Sequence, residues 1–154
     1  MIRKATQNDL PKLEELYFLL FEQMADYEPY YRKATHQDQH FLRSVIAEEN
    51  NFAAFVYDLD KDVKGFAIVQ MQETLPYNCF VPLKYAYLID IVVEVGMRRK
   101  GIGKALINQV KIWAKENKAD YLELQVLMKN KDAAALYLRE GFEIFSQSMR
   151  VRID

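Results

Sequence analysis

The chain has 154 residues, of which 51% are hydrophobic and 28% charged. That length and balance suit one folded domain over residues 1–154 and exclude a disordered chain. With 21 Lys and Arg against 22 Asp and Glu the formal net charge is -1, which gives no overall pull towards nucleic acid or an anionic membrane. A single cysteine, Cys79, excludes an internal disulfide framework and a cysteine-rich zinc site. Met1–Leu10 lacks an apolar signal core and no run reaches the ~20 apolar residues of a membrane span, so the expected compartment is the cytoplasm. There are only five glycines, and three of them (Gly96, Gly101 and Gly103) fall within eight residues.

In chain order, Ile2–Ala5 reads as an opening strand. Thr6 with Asp9 forms a capping-box pattern, and Leu10, Leu13, Leu16, Tyr17, Leu20 and Met24 follow at helical spacing. Pro11 sits in the first turn, where a missing N–H costs nothing. A second helix is expected over Gln37–Glu48, with Phe41, Leu42, Val45 and Ile46 as its stripe. Phe52–Tyr57 and Lys64–Gln72 read as strands joined by a polar hairpin. Tyr85–Val95 is nearly continuously apolar around Leu88–Val93, as for a strand covered on both faces. A helix from Ile102 to about Asn117, a strand Tyr121–Val126 and a helix Asp132–Glu140 follow, with Gly141 as left-handed cap. Phe142–Arg152 is expected to be terminal strand, in one piece or two about Ser146–Ser148. The result is an α/β domain with a mixed central β-sheet flanked by helices, in the order β-α-α-β-β-β-α-β-α-β(-β).

The segment Ile91–Leu106 is chemically a strand, a tight basic turn and a helix N-terminus. The first N–H groups of a helix lack internal partners, and the helix dipole adds about half a positive charge there. Glycines admit a ligand close to the backbone, and Arg98, Arg99, Lys100 and Lys104 supply positive charge. These features make a cradle for phosphate or pyrophosphate. The two common nucleotide loops fail on named residues. A P-loop needs lysine where Ile102 stands, and a dinucleotide fingerprint needs glycine where Leu106 stands.

Arg98-x-x-Gly101-x-Gly103 resembles the Q/R-x-x-G-x-G/A acetyl-CoA signature of the GCN5-related N-acetyltransferase (GNAT) superfamily. Asn130-Lys-Asp-Ala133-Ala-Ala-Leu-Tyr137-Leu-Arg-Glu-Gly141-Phe142 is similar to the family's second stretch, N-x-x-A-x-x-(F/L)-Y-x-x-x-G-F. The opening strand and helix pair fit as well, so the likeness covers essentially the whole chain and implies the GNAT fold. One departure is that many relatives have glycine directly after the arginine, where this chain has Arg99. Gly96 is expected to turn the chain where relatives use proline.

The resemblance implies acetyl-CoA as donor substrate, without a metal. Backbone amides of Arg98–Lys104, including Gly101, Ile102 and Gly103, would hold the pyrophosphate, and Ile91, Val92 and Val93 would pair with the pantetheine arm. Asn130, Ala133 and Tyr137 would complete the site. Tyr137 is then the candidate general acid, since a phenol of pKa about 10 is protonated at neutral pH. Asp90 is the candidate base, with Glu73, Glu94 or water as alternatives. Asp90 and Glu94 share a nominal strand face, which a bulge would upset. An N–H near Val92 or Val93 would hold the oxyanion.

His36 and His40 lie one helical turn apart but lack the further ligands of a zinc site, so no metal is expected. The resemblance places Asp26–Arg32, Pro76–Phe80, Tyr85 and Tyr87 on the acceptor pocket, as an aromatic, partly acidic wall suited to a cationic amine, and a tyrosine-rich surface loop or dimer contact is the other reading of the same residues. The expected activity is transfer of acetyl to a primary amine of a small polar acceptor by direct attack. Acetylation of a protein N-terminus or lysine, and a non-catalytic acyl-CoA sensor, are the other readings. A homodimer through a C-terminal edge strand is compatible with the sequence.

Overall fold

Strands β1 (Ile2–Lys4), β2 (Phe52–Leu59), β3 (Asp62–Glu73), β4 (Lys84–Val93) and β5 (Tyr121–Leu124) form one sheet in that spatial order in the computed structural model, which describes Met1–Asp154. The first three pairings are antiparallel and β4·β5 is parallel, so the sheet is mixed as expected. Helices α1 (Leu10–Tyr27) and α2 (Gln39–Ile46) lie on one face. Helix α3 (Ile102–Glu116) lies on the other, and α4 (Lys131–Arg139) follows β5.

Local chemistry accounts for these elements. Asp9 accepts the Thr6 N–H at 2.7 Å and two bonds from the Arg3 guanidinium at 2.8 and 2.9 Å, tying β1 to the start of α1. The α1 stripe Leu10, Leu13, Leu16 and Tyr17 is buried with Leu42 and Val45 of α2 against Val56, Phe66 and Ile68. On the opposite face Ile102, Leu106, Val110 and Ala114 of α3 pack on Phe55, Val69 and Leu88. Alternation along β2 and β3 feeds both layers, which is why these strands read as apolar. Between them Asp60 and Lys61 both take positive φ, 52° and 68°, the backbone of a two-residue hairpin whose twist matches its strands.

Two irregularities in β3 and β4 matter for the site. The register runs Val69↔Leu88 and then Ile68↔Asp90, so Ile89 is an extra residue on β4. Ala86 and Leu88 pack towards α3, and beyond the bulge Ile91 and Val93 do so, while Val92 packs towards α1. The second irregularity is a close approach. A Cβ on Gly65 would meet the Val92 carbonyl oxygen at 2.7 Å, so only glycine lets β3 lie this near the end of β4.

The expected terminal strand does not form. Residues Phe142–Arg152 join no sheet, and β5 is its edge. The segment keeps a strand's alternation, but its backbone bonds no strand beyond Phe142, and its far end is held beside the C-terminus of α1 by the Arg150–Glu28 pair. Gly96 does sit where the chain turns. It lies in a short 3-10 turn, Val95–Met97, without positive φ, so the turn there does not require glycine.

Candidate active site

β4 and β5 are paired only from Tyr85↔Tyr121 to Leu88↔Leu124. Beyond Leu88 the strands part, and Ile89–Val93 keeps β3 on one edge while the other edge faces a gap. Ile91, Val92 and Val93, the residues expected to pair with a pantetheine arm, lie on this stretch, and the Val93 carbonyl already accepts Arg98. The parting coincides with the bulge at Ile89, which turns Asp90 towards α1 instead of α3.

Asp90 meets Tyr17 there. The fully buried Tyr17 donates its hydroxyl to Asp90 Oδ2 at 2.7 Å. Burial pushes the Asp90 carboxyl up to about 6, while the Tyr17 hydrogen bond and the Arg32 charge act against the rise. Burial, and then the Asp90 charge, push the Tyr17 phenol well above its ordinary value. In the sequence Tyr17 was one apolar position in a helical stripe. Only the strand bulge reveals it as the partner of an acid.

Tyr137 faces the same region from α4. It is buried, and burial followed by the charge of Asp90 pushes its hydroxyl up to about 12. The end of α4 fixes it. Gly141 has φ 93°, its N–H bonds the Leu138 carbonyl at 3.2 Å, and the Phe142 N–H bonds the Tyr137 carbonyl at 3.0 Å. This is the glycine-terminated helix end with its two reversed hydrogen bonds. The Phe142 ring then packs edge-on to Tyr137, 5.7 Å between centroids.

At the other end of the gap stands the N-terminus of α3. Gly101 caps it with φ 82°, and a Cβ there would meet nothing within 4 Å. The first backbone bond of the helix runs from the Ala105 N–H to the Gly101 carbonyl at 3.0 Å, so the Ile102, Gly103 and Lys104 amides have no carbonyl behind them. Arg99, Lys100 and Lys104 are exposed around this end, and no acidic residue stands in the first turn. The donor set and the open space at Gly101 fit a pyrophosphate. Gly103 also has a packing reason, since a Cβ there would come within 3.0 Å of Leu136 of α4.

Other predicted positions have more local duties. Arg98 folds back, its Nε donating to the Val93 carbonyl at 3.2 Å and its Nη2 to Gln23 at 3.3 Å. Asn130 caps α4, accepting the Ala133 N–H at 3.3 Å. Arg99 takes φ 61°, a left-handed backbone at the position where the family often has glycine.

The alternative bases are placed elsewhere. Glu94 is bound by Lys12 at 3.0 Å and Lys64 at 3.1 Å, which hold its carboxyl below the usual range. Glu73 is paired with Lys84 at the far end of β3·β4, five positions along from Ile68, which faces Asp90.

The aromatic wall is only partly free. Glu28 is paired with Arg32 and Arg150, and the rings of Tyr31 and Tyr30 are covered by Arg150 and Arg152 at 4.1 and 3.6 Å. Tyr87 remains near Asp90, its hydroxyl pushed up by burial and then by Glu123 and Asp90. A cavity of about 190 Å³ between the end of α1 and the following loop is lined by Phe21, Met24, Arg32, Lys33 and Thr35. A larger concavity, about 560 Å³, lies at the opposite edge of the sheet against β1, Phe52 and Trp113, away from this chemistry. His36 packs on Phe18, centroids 4.8 Å apart, and nowhere do three or more His, Cys, Asp or Glu gather as metal ligands. No helix is long and apolar enough to cross a membrane.

Comparison with known proteins shows the family. The model of the acetyltransferase (GNAT) family matches residues 11–142, and the chain belongs to that family. An N-acetyltransferase of Methanocaldococcus jannaschii, itself uncharacterised, is 31% identical over 142 residues, covering 92% of this chain and 60% of the relative. Streptothricin acetyltransferase A of Bacillus subtilis is 31% identical over 117 residues, covering 76% of this chain and 61% of the relative. The chain thus spans about 60% of the length of these relatives. Among solved structures, a mutant of a Bacillus halodurans protein superposes with TM-score 0.94 at 19% identity over 99% of each chain. An aminoglycoside N-acetyltransferase in complex with CoA superposes with TM-score 0.73 at 19% identity, over 100% of this chain and 99% of the other. At such identities the structures show the fold alone.

Proposed function

We propose that this domain transfers the acetyl group of acetyl-CoA directly to a primary amine of a small polar acceptor. The observation that carries the reading is the edge of β4 that β5 leaves unpaired beyond Leu88, followed by the free amides of α3, with Asp90 near enough for its charge to act on the Tyr137 hydroxyl. Arg98–Lys104 and the α3 amides hold the pyrophosphate, and Ile91–Val93 aligns the thioester arm, which makes the encounter with an amine a local event. The relatives named as acetyltransferases of small antibiotics lend support to a small acceptor.

A carboxyl with a pKa about 6 is mostly ionised at neutral pH and still basic enough to take a proton. Asp90 accepts the proton of the acceptor ammonium, directly or through one water. The amine nitrogen then bonds the acetyl carbon, and a backbone N–H near Val92 or Val93 holds the oxyanion. As the carbon–sulfur bond breaks, Tyr137 gives its proton to the departing thiolate, and the attacking nitrogen loses its second proton to solvent to leave the neutral amide. The two groups are coupled. Ionised Asp90 raises the Tyr137 pKa, so protonating Asp90 makes Tyr137 a stronger acid at the moment its proton is needed. Return of the Asp90 proton to Tyr137 or solvent resets the site.

The test is release of free thiol from acetyl-CoA across a panel of polyamines, amino sugars, amino acids and peptides. Turnover confined to small amines is the expected result. Turnover on peptides alone would move the acceptor to protein, and tight acetyl-CoA binding without turnover on any amine would leave a sensor.

A further inference from the structure

Next to Asp90 the sheet carries a group of polar and aromatic side chains that the proposed reaction does not use. Ala86, Leu88, Leu122 and Leu124 turn to α3. Tyr85, Tyr87, Tyr121 and Glu123 alternate with them and therefore stand on the opposite face. The bulge at Ile89 brings Asp90 to that same face. The register sets Tyr85 beside Tyr121 and Tyr87 beside Glu123. The Tyr85 and Tyr121 rings stack, centroids 5.0 Å apart and planes 3° from parallel, and the Tyr85 hydroxyl donates to Gln72 Oε1 at 2.8 Å.

Glu123 is the unsatisfied member of this group. It is half-buried, yet it takes part in none of the chain's ion pairs. Its charge reaches the tyrosines around it: burial, and then Glu123, push the hydroxyls of Tyr85, Tyr87 and Tyr121 up. Tyr87 also feels Asp90, so it stands between two carboxylates. A carboxylate without a cation, walled by aromatic rings, suits an ammonium group, held by its charge and by the ring faces. Asp90 lies opposite Ile68 and Tyr87 opposite Gln70. Asp90 and Glu123 are thus two residues apart along the sheet and one strand across, roughly 8 Å between Cα atoms.

We propose that Glu123, with Tyr85, Tyr87 and Tyr121, holds a second ammonium group of the acceptor, so that the acceptor is a diamine whose other nitrogen reacts beside Asp90. This subsite rests on the acetyl transfer proposed above and narrows its acceptor. The two carboxylates have different duties. Asp90 takes a proton from the nitrogen that reacts, whereas Glu123 binds a nitrogen that keeps its charge. Linear polyamines and diamino sugars both present such a pair of nitrogens.

Thiol release is measured with diaminobutane against butylamine, and with a diamino sugar against glucosamine. In at least one pair kcat/KM should be about 10- to 100-fold higher for the diamine, chiefly through KM. The pair that shows the difference tells a linear acceptor from a sugar. Glu123→Gln should bring that ratio close to one, and Glu123→Asp should restore part of it. Glu123→Lys should reverse the preference, favouring the matching amine that carries a carboxylate in place of the second ammonium. Equal turnover of diamine and monoamine, or a diamine preference that survives Glu123→Gln, would overturn the subsite. Absence of turnover on every amine would sink the acetyl transfer itself, and calorimetry then reads the subsite separately. A diamine should bind the parent about tenfold or more tightly than it binds Glu123→Gln, and equal affinity would overturn the assignment.

Discussion

Asp90 owes its chemistry to a place it could not reach on a regular strand. Its pKa of about 6 comes from burial, opposed by Tyr17 and Arg32. Two consequences follow at this residue. kcat/KM should rise with pH through a midpoint near 6, and Asp90→Asn should remove that limb and lower kcat by about 100-fold or more. The second concerns stability. The carboxyl holds its proton more tightly folded than in the unfolded chain, where its pKa is about 3.9. Its contribution is therefore fully present below that value and lost as pH rises through about 6. Asp90→Asn should be more stable than the parent at pH 8, by up to about 3 kcal/mol, with the gain vanishing near pH 4. Tyr137→Phe should lower kcat by about 100-fold while acetyl-CoA affinity, read by calorimetry, stays within about twofold. Arg99 holds a left-handed backbone that costs a non-glycine residue about 1 kcal/mol. Arg99→Gly should thus raise stability slightly, although it removes one positive charge near the phosphates and should weaken CoA binding in low salt.

At the scale of elements, the bulge in β4 and the cap of α4 are the devices that converge two side chains. Ile89 shifts the strand's faces by one position, and the Gly141–Phe142 turn clamps Tyr137 from behind. Gly65 permits a third contact, the approach of β3 to the Val92 carbonyl. Gly65→Ala should push β4 outward at the edge proposed to align the thioester. The expected cost is about 1–3 kcal/mol, seen as a melting point lower by several degrees. CoA affinity should fall with it, because the contact struck is backbone and has no flexible end to yield.

Over the whole molecule, β1 and β5 are the two edges of the sheet, and β4 and β5 are paired only as far as Leu88↔Leu124. Much of this was legible beforehand. The helical stripes, the β2·β3 hairpin, the basic turn after β4 and the glycine ending α4 are local patterns, and periodicity and backbone sterics fix them within a few residues of sequence. The Arg98–Gly103 and Asn130–Phe142 stretches carried the family for the same reason. Tyr17 was not legible as a site residue. Its role depends on a side chain 73 positions away, and a tyrosine in an apolar stripe looks the same whether or not an acid waits behind it. How free the Asp26–Arg32 stretch is was not legible for a similar cause, since the chain's own Arg150 and Arg152 take up Glu28 and the rings of Tyr31 and Tyr30.

The sequence by itself determined the elements, the two motif-bearing stretches and the concentration of positive charge at one helix start, because each depends on neighbours along the chain. Tertiary structure alone decided which way Asp90 faces, which hydroxyl it binds and how far its pKa rises. It also decided that Phe142–Arg152, a strand by pattern, finds no place in its own sheet. Those are matters of register, burial and reach, and they exist only once distant segments have been brought together.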